Sequence, residues 1–210
     1  MAKRRPVSSS TDAAERIREA ATELFSARSY FGTPMRALAS SIDVEAASLY
    51  YHFPSKQQIL FDGFARTMDD MLVGVKAAVA SATHPREQLR AVVRFHVLFH
   101  IERQSEAFVS HAEMRALTPA NRHRIVTKRR AYEDVFCALL DDGVEKGVFR
   151  VADTRLTAIA ILTLCSGVAD WFKQGGRLDA VTVAERYVEM VAGMVGCRRK
   201  PPAYTRRRAR

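Results

Sequence analysis

A stretch of 24 residues, 33–56, constrains the fold more than any other part of this chain. Thr33 followed by Pro34 is typical of a helix start, because proline suits the first helical position, where an N–H has no partner in any case. After a tight turn, a second short helix is predicted at about 45–51, with Leu49 on its inner side. Polar aromatic and basic side chains follow it closely: Tyr50, Tyr51, His52 and Lys56. Two short helices with such a cluster suit the binding of phosphate groups.

Helical periodicity continues through the rest of the chain. A first helix is predicted over about 12–28, and Ser55 with Gln58 forms a capping box that starts a long fourth helix. Later helices are predicted over about 85–103, a shorter stretch to 117, 118–147, 153–175 and 182–197. No alternating strand pattern and no internal repeat is present. The sequence therefore predicts an all-α fold of about nine helices, with three short helices at the start and a larger helical body.

The net charge of +10 is concentrated at the two ends of the chain. Residues 198–210 hold seven basic and no acidic side chains, whereas residues 67–197 hold 17 basic and 16 acidic ones. Segments 1–10 and 198–210 are therefore predicted to be disordered basic tails, either merely solvated or attracting DNA without sequence preference. Because the globular part is nearly neutral, total charge is weak evidence for nucleic-acid binding, and the local motif must carry that argument.

Cysteine use and hydropathy indicate the compartment. The three cysteines, Cys137, Cys165 and Cys197, are far apart and odd in number, which argues against a disulfide framework and for a reducing environment. The basic start lacks the apolar segment of a secretory signal. The longest apolar run, 158–169, is shorter than the roughly 20 residues that a membrane span needs. These features predict a soluble cytoplasmic protein.

The residues on and around the two short helices divide into two kinds of candidate contact. Phosphate contacts fix orientation on a duplex, whereas contacts to base edges specify sequence. The candidate phosphate ligands are Thr33, Arg36, Tyr50, His52 and Lys56. The candidate base readers, at the start of the second short helix, are Glu45, Ala46, Ala47 and Ser48. Tyr51 adjoins both sets and is a further candidate for DNA contact. The favoured interpretation, for Tyr51 as for Phe53, is nevertheless burial in the core.

This region resembles the DNA-binding domain of the TetR family of bacterial transcriptional repressors. The resemblance covers about 60 residues, 10–70, and is carried by Thr33-x-x-Arg36-x-x-Ala39, by Val44 and the run from Ser48 to Lys56, and by Ala21, Leu24 and Phe25 upstream. It implies a helix-turn-helix domain at 11–57 that extends into the fourth helix to about 70, and a ligand-binding and dimerisation domain at 58–197. It also implies a bacterial homodimer that leaves an inverted-repeat operator on double-stranded DNA when a small-molecule effector binds.

Three positions depart from the family pattern. Asp43 stands where the turn between the second and third helices often has glycine, and aspartate tolerates a positive φ better than most residues. Ser29 replaces another frequent glycine after the first helix. Glu45 occupies a position where serine or threonine is frequent, and its carboxylate could accept a hydrogen bond from a cytosine amino group. These departures affect the operator sequence rather than the mode of binding.

The last two predicted helices carry more apolar surface than one core needs. The helix from about 153 is apolar nearly all round, which favours burial on both sides. A two-fold interface, with four helices from two copies, is the simplest place for that surface, and an internal core without dimerisation is the alternative. The candidate interface residues are Ile159, Thr163, Leu164, Gly167, Tyr187, Met190, Val191 and Met194.

A ligand pocket in the body should combine apolar walls with a few polar groups. The candidates are Phe95, His96, Phe99, His100, Arg103, Met114, Arg115, Tyr132, Phe136 and Trp171. The sequence around 111–115 and 171–178 is similar to family members that respond to CoA thioesters from fatty-acid or sterol breakdown. The basic run at 122–130 could bind CoA phosphates, although a solvated helix face explains it equally well.

Other functions receive less support from the sequence. His96 and His100 have the i, i+4 spacing of zinc ligands, and His111 or Glu113 could complete a site, but two histidines satisfied in a core or pocket are the favoured interpretation. No nucleophile elbow, phosphate-binding loop or paired-carboxylate motif is present, so we predict neither an enzyme nor a bound cofactor. An adaptor protein that uses the same helices without DNA is a further alternative.

Overall fold

The computed structural model describes residues 10–196 and folds them into ten α-helices and one short 3-10 helix. The first four helices are α1 (Ser10–Arg28), α2 (Met35–Ser41), α3 (Ala46–His52) and α4 (Lys56–Ala80). The others are α5 (Pro85–Glu102), α6 (Gln104–Ala112), the 3-10 helix (Met114–Ala116), α7 (Pro119–Glu145), α8 (Thr154–Ser166), α9 (Val168–Trp171) and α10 (Ala180–Met194). No strand occurs in the described part, and the all-α prediction is confirmed. The predicted basic tails lie almost wholly outside the described residues.

Side-chain caps explain where several helices begin. Ser55 accepts a hydrogen bond from the N–H of Gln58 at 3.1 Å and so starts α4, as the sequence predicts. The last helix starts earlier than predicted, because Asp179 rather than Thr182 is the cap and accepts from the N–H of Thr182 at 2.8 Å. The helix predicted over 153–175 is divided into α8 and α9 at Gly167. Glycine favours such a break because it loses more conformational entropy in a helix than other residues do.

Two apolar clusters organise the chain, and α4 belongs to both. The larger joins the second half of α4 to α5, α7, α8 and α10, with Val92, Leu140 and Ile161 fully buried at its centre. The smaller joins α1, α2, α3 and the first half of α4, which together we call the head. The head's cluster also includes Val109 on α6 and Ile125 on α7. We call the remaining helices the body; the head therefore folds against the body rather than apart from it.

The two turns of the head adopt left-handed backbone conformations. Ser29 has a φ of 62° and Asp43 a φ of 55°. Glycine adopts this region without strain, and aspartate is among the side chains that tolerate it best. The expectation that the α2–α3 turn survives the exchange of glycine for Asp43 is therefore confirmed.

Cysteine environment and helix hydropathy complete the description. Cys137 and Cys165 are free and buried, and burial raises the pKa of the Cys165 thiol to about 12, which disfavours the nucleophilic thiolate. Among residues 10–196, no helix combines the length and the apolarity that a membrane span requires.

Candidate nucleic-acid interface and effector cavity

Helix α3 is anchored on one side and exposed on the other. Leu49 is completely buried in the head cluster and fixes the helix there. At the start of α3, Glu45, Ala47 and Ser48 are exposed and Ala46 is half-buried. A recognition helix requires this arrangement, because the N-terminal residues of the helix must reach base edges in the major groove.

The aromatic cluster that follows lies at the surface of the head. Tyr50 is 52% exposed and Tyr51 is 83% exposed, whereas Phe53 is buried. The favoured interpretation of a core position is therefore wrong for Tyr51 and correct for Phe53. The Tyr51 ring meets that of His52 edge to face, with centroids 5.1 Å apart, and Arg36 on α2 is also exposed. Hydroxyl, imidazole and guanidinium donors are thus available to a phosphate backbone.

Thr33 occupies a different place from the one that its sequence position suggests. It is buried, and its hydroxyl lies 2.8 Å from the carbonyl oxygen of Ser29 and 3.3 Å from that of Leu24. Helix α2 begins after Pro34, so Thr33 lies one residue outside its cap. Because a hydroxyl has one proton to donate, the Thr33 side chain closes the α1–α2 turn instead of pointing to a phosphate.

Lys56 is largely engaged within the head. Its ammonium donates hydrogen bonds to the carbonyl oxygens of Tyr30 at 2.8 Å and Thr33 at 2.9 Å, and it lies 4.2 Å from the centre of the Tyr30 ring. Burial lowers the pKa of Lys56 from its ordinary value. Of its three N–H donors, one is left for a phosphate. Its main effect is to hold the first turn of α4 against the α1–α2 loop.

Two polar residues that the sequence analysis did not assign to this role join the head to the body. The buried carboxylate of Glu113 accepts a hydrogen bond from the N–H of Tyr30 at 3.1 Å. The Gln57 amide donates to the Tyr30 hydroxyl at 3.0 Å and to the carbonyl of Ala116, and accepts from the N–H of Thr118 at 3.1 Å. Partners separated by about 60 to 80 positions leave no local pattern, so nothing in the sequence could have revealed this junction.

A cavity of about 450 Å³ opens between α4, α5, α6, α7, α8 and α9 of the body, and several of its lining residues, among them His111, Ile159 and Asp170, are exposed to solvent. Apolar walls come from α4, α5 and α8, notably Met68, Met71, Phe99, Ile159 and Leu162. Polar side chains line the remainder: Thr67, His96, His100, Ser110, His111, Arg129, Tyr132, Glu133, Thr163, Ser166 and Asp170. Apolar walls with a few polar groups are typical of small-molecule sites.

A chain of hydrogen bonds crosses the wall of this cavity. The His96 ring connects the Tyr132 hydroxyl, 2.9 Å from Nδ1, to the Ser166 hydroxyl, 3.0 Å from Nε2. His100 stacks on His96 with ring centroids 4.2 Å apart, and its Nδ1 donates to the backbone carbonyl of His96 at 2.9 Å. Burial lowers the pKa of His96 well below its ordinary value, and the neighbouring His100 and His111 lower it further. Both stacked rings are therefore neutral near pH 7.

The structure separates the ten predicted pocket residues into two groups. Four of them, His96, Phe99, His100 and Tyr132, line the cavity. Phe136 is buried beside the His96 ring in the larger apolar cluster, and Phe95 packs over Gly74 of α4. Trp171 is 52% exposed, and its indole N–H donates to the Tyr187 hydroxyl at 3.3 Å.

Like Phe95, Phe136 and Trp171, the remaining three predicted pocket residues lie outside the cavity lining. Arg103 pairs with Asp70 at 2.7 Å and with Glu106 at 3.4 Å, tying α5 to α4 and α6. Met114 packs against the head cluster, and Arg115 is exposed on the 3-10 helix. Helical spacing could not reveal this, because the chain turns at Arg103 and changes direction again at Glu113.

The predicted interface residues also divide. Ile159, Thr163, Leu164, Met190 and Met194 are exposed, and Gly167 is half-buried. Tyr187 and Val191 are instead buried in the larger cluster of the same chain, because they face α5 from the inner side of α10. Tyr187 and Val191 are therefore covered by their own chain, whereas Leu164, Met190 and Met194 on α8 and α10 remain exposed.

The alternative metal site lacks the ligands that it needs. Both ring nitrogens of His96 have hydrogen-bond partners, and Glu113 faces Tyr30 in the head–body junction. Across the described part of the chain, no group of three or more histidine, cysteine, aspartate or glutamate side chains could hold a metal ion.

Comparison with known proteins agrees with this architecture. The family model "Bacterial regulatory proteins, tetR family" matches residues 17–62, and the model "Tetracyclin repressor-like, C-terminal domain" matches residues 82–195. The HTH-type transcriptional repressor KstR2 of Mycobacterium tuberculosis is 25% identical over 178 residues, 83% of this chain and 88% of that protein.

Two solved structures have the same fold. A bacterial regulatory protein in the tetR family from Rhodococcus RHA1 superposes with a TM-score of 0.84 at 30% identity, covering 92% of this chain and 100% of that one. AibR in complex with isovaleryl coenzyme A and operator DNA superposes with a TM-score of 0.78 at 29% identity, covering 84% and 96%. The domain matches and the exposed recognition helix thus lead to one conclusion: the chain belongs to the tetR family of bacterial regulatory proteins.

Proposed function

We propose that this protein represses transcription as a homodimer on an inverted-repeat operator and is released when a small molecule occupies the cavity of the body. The observation that carries the proposal is the outward face of α3, held on the head by Leu49, in a chain of this family. Two such helices must enter successive major grooves about 34–36 Å apart, which a two-fold dimer provides. The exposed apolar side chains on α8 and α10, including Leu164 and Met194, supply a surface for the second copy.

The effector is proposed to be an acyl-CoA or a related amphiphile. Support comes from the apolar walls of the cavity and from AibR, whose structure contains isovaleryl coenzyme A together with operator DNA. The run of basic residues at 122–130 is weaker support, since Lys128 pairs with Asp69 and Arg124 stacks on Phe61.

The position of α6 supports a coupling between cavity and head. Ala107 and Ser110 of α6 line the cavity, whereas Val109 belongs to the head cluster and Glu113, just after the helix, holds Tyr30. We infer that an effector which favours a shifted α6 also moves the head. Binding must differ between the two states for this to occur, because a ligand with equal affinity for both shifts nothing.

The test is a gel-shift assay with DNA from upstream of the protein's own gene. Arg36→Ala should weaken binding to all sequences and reduce the salt dependence by about one phosphate contact. Ser48→Ala should instead change the sequence preference. Arg177→Ala, in the exposed loop before α10, is the matched control and should leave both unchanged. If Arg36→Ala binds DNA as tightly as the wild type and Ser48→Ala keeps the same sequence preference, the proposed interface is contradicted.

A further inference from the structure

Arg129 is a cation in the cavity wall that lacks a carboxylate partner within the described part of the chain. It lies on α7, half-buried, and donates a hydrogen bond from Nη2 to the backbone carbonyl of Ser110 at 2.7 Å. A guanidinium has five N–H donors, so this bond leaves most of its capacity unused. No ion pair within 4 Å joins Arg129 to any acid of residues 10–196.

Arg129 differs in its ion pairing from other cations of the body. Arg103 pairs with Asp70, Arg155 with Glu133 and Asp134, and Lys128, next to Arg129 in the sequence, with Asp69. These pairs lie at the surface, where pairing adds little to stability. Arg129 is the opposite case, because it loses hydration without gaining a counter-ion, and burial lowers its pKa from the ordinary value. Such a cation is suited to an anion that arrives with a ligand.

The two acids in the cavity wall do not neutralise it. Glu133 is one helical turn from Arg129, but its Oε1 accepts a hydrogen bond from Arg155 at 2.6 Å. Asp170 is exposed, beside His111, and favours the charged form of that histidine. Burial lowers the pKa of His111, and the positive charge of Arg129 lowers it further. Around Ser110 the cavity wall therefore presents a guanidinium that no acid of the described residues pairs with.

Helices α4, α5 and α8 supply the apolar side chains of the cavity wall and contribute no carboxylate, lysine or arginine to it. Met68 and Met71 of α4 are buried, and Phe99, Ile159 and Leu162 are the other apolar lining residues. A ligand complementary to the apolar wall and to Arg129 has an apolar body that fits a cavity of about 450 Å³ and carries one anionic group at one end.

We propose that Arg129 is the anion-binding residue of the effector cavity and that the effector is an amphiphilic anion whose charged group binds the Arg129 guanidinium. The inference rests on the proposed function, since it assumes that the cavity is the effector site. The anion has two possible sources, a carboxylate on the apolar body itself or a phosphate of a coenzyme A carrier.

The experiment compares charged and neutral probes with the same apolar body by isothermal titration calorimetry on the full chain without DNA. One pair is decanoate and decanamide, and the other is decanoyl-CoA and decanoyl-pantetheine. In the wild-type protein the charged member of at least one pair should bind roughly tenfold or more tightly than its neutral counterpart. The pair that discriminates identifies the source of the anion.

Three variants locate the effect. Arg129→Met retains apolar contact without charge, and should bring the charged and neutral probes of the discriminating pair to equal affinity. Arg129→Lys keeps the charge but loses the planar fork, and should retain part of the preference. Arg130→Met, at an exposed neighbouring position, is the matched control and should preserve the full ratio. Circular dichroism and thermal melting establish that each variant is folded.

Equal affinity for charged and neutral probes in the wild type would overturn the proposal, as would a preference that persists in Arg129→Met or the failure of all four probes to bind. These outcomes are distinct from failure of the proposed function, which is judged by the gel shift. If the protein binds its operator but shows no preference for charged probes, only the anion-binding role of Arg129 is refuted. If it prefers charged probes but does not bind the operator, the role of Arg129 stands and the repressor function is refuted.

Discussion

The head and the body present their functional groups in opposite ways. In the head, Arg36, Ser48, Tyr50 and Tyr51 point to solvent from one short segment of sequence. In the body, the polar groups point inward and come from six helices that are distant in sequence. Outward groups need no partner from the same chain, because water satisfies them until DNA arrives. Inward groups must satisfy one another, which is why His96 lies between Tyr132 and Ser166.

The difference shows that the two sites depend on interactions over different distances along the sequence. The exposed face of α3 follows from the buried Leu49, the turn at Asp43 and the Ser55 cap of the next helix, all of which are local. A cavity follows from the packing of whole helices, and its lining changes if any of them rotates. The two regions meet where Gln57 and Glu113 connect α4 and the end of α6 to Tyr30, so neither region is independent of the other.

The largest effect is expected when the anchor of the head is removed. Leu49→Ala should lower the free energy of unfolding by about 2–5 kcal/mol, because it leaves a cavity in a fully buried cluster. It should also abolish operator binding in the gel shift, because α3 is no longer packed against the head cluster. Urea denaturation measures the first effect.

The matched control for the anchor is the exposed ring two residues later. Tyr51→Ala should change the free energy of unfolding by no more than about 0.5 kcal/mol, because the side chain is 83% exposed, while operator binding weakens. Equal destabilisation by the two variants would remove the distinction between the anchored and the exposed side of α3.

A smaller effect is expected at the junction between the two regions. Glu113→Met leaves the buried N–H of Tyr30 without its acceptor and should lower the free energy of unfolding by about 1–3 kcal/mol. Glu113→Gln retains an acceptor oxygen and should lose much less. If the two variants were equally stable in urea denaturation, the hydrogen bond would not hold the head to the body.

The last effect concerns pH and should arise in the body. Burial lowers the pKa of His96 and His100 in the folded protein, whereas unfolded histidine titrates near about 6.5. Below that pH the unfolded chain binds more protons than the folded one, so the free energy of unfolding falls as the pH falls. The loss approaches about 1.4 kcal/mol per pH unit for each histidine, and stability is fully retained above the unfolded pKa.

Urea denaturation at pH 7.5 and pH 5.5 measures this loss. His96→Gln removes one of the titrating histidines and should reduce the difference in the free energy of unfolding between the two pH values, although it also alters the hydrogen bonds to Tyr132 and Ser166. His123→Gln changes an exposed histidine on α7 and should leave the difference as in the wild type. A wild type whose stability does not decline at pH 5.5 would contradict buried, neutral rings.

The sequence was sufficient for the parts of the site that depend on near neighbours. The Ser55 cap, the positive φ at Asp43 and the buried side of α3 at Leu49 all depend on residues within one or two turns. Thr33 shows the limit of local reasoning, because its hydroxyl is taken by carbonyl groups at the end of α1, which only the path of the turn brings close.

In the body, periodicity identified the helices but not their rotation about their own axes. The stripe of α10 contains Tyr187 and Val191, which face α5, and Met190 and Met194, which face outward; the two pairs are alike in hydrophobicity. Arg103 and Arg129 are likewise both arginines near aromatic residues, yet one is paired at the surface and the other lines the cavity.

The amino-acid sequence by itself determined the all-helical architecture, the start of α4 at the Ser55 cap and the exposed segment that we propose contacts DNA, because each depends on interactions over a few residues. Only the tertiary structure decided that Glu113 joins the head to the body, that His96 links Tyr132 to Ser166, and that Arg129 lines the cavity without an ion pair to any acid of residues 10–196. The physical reason is that a buried polar group is defined by its partners, and those partners come from helices that packing alone brings together.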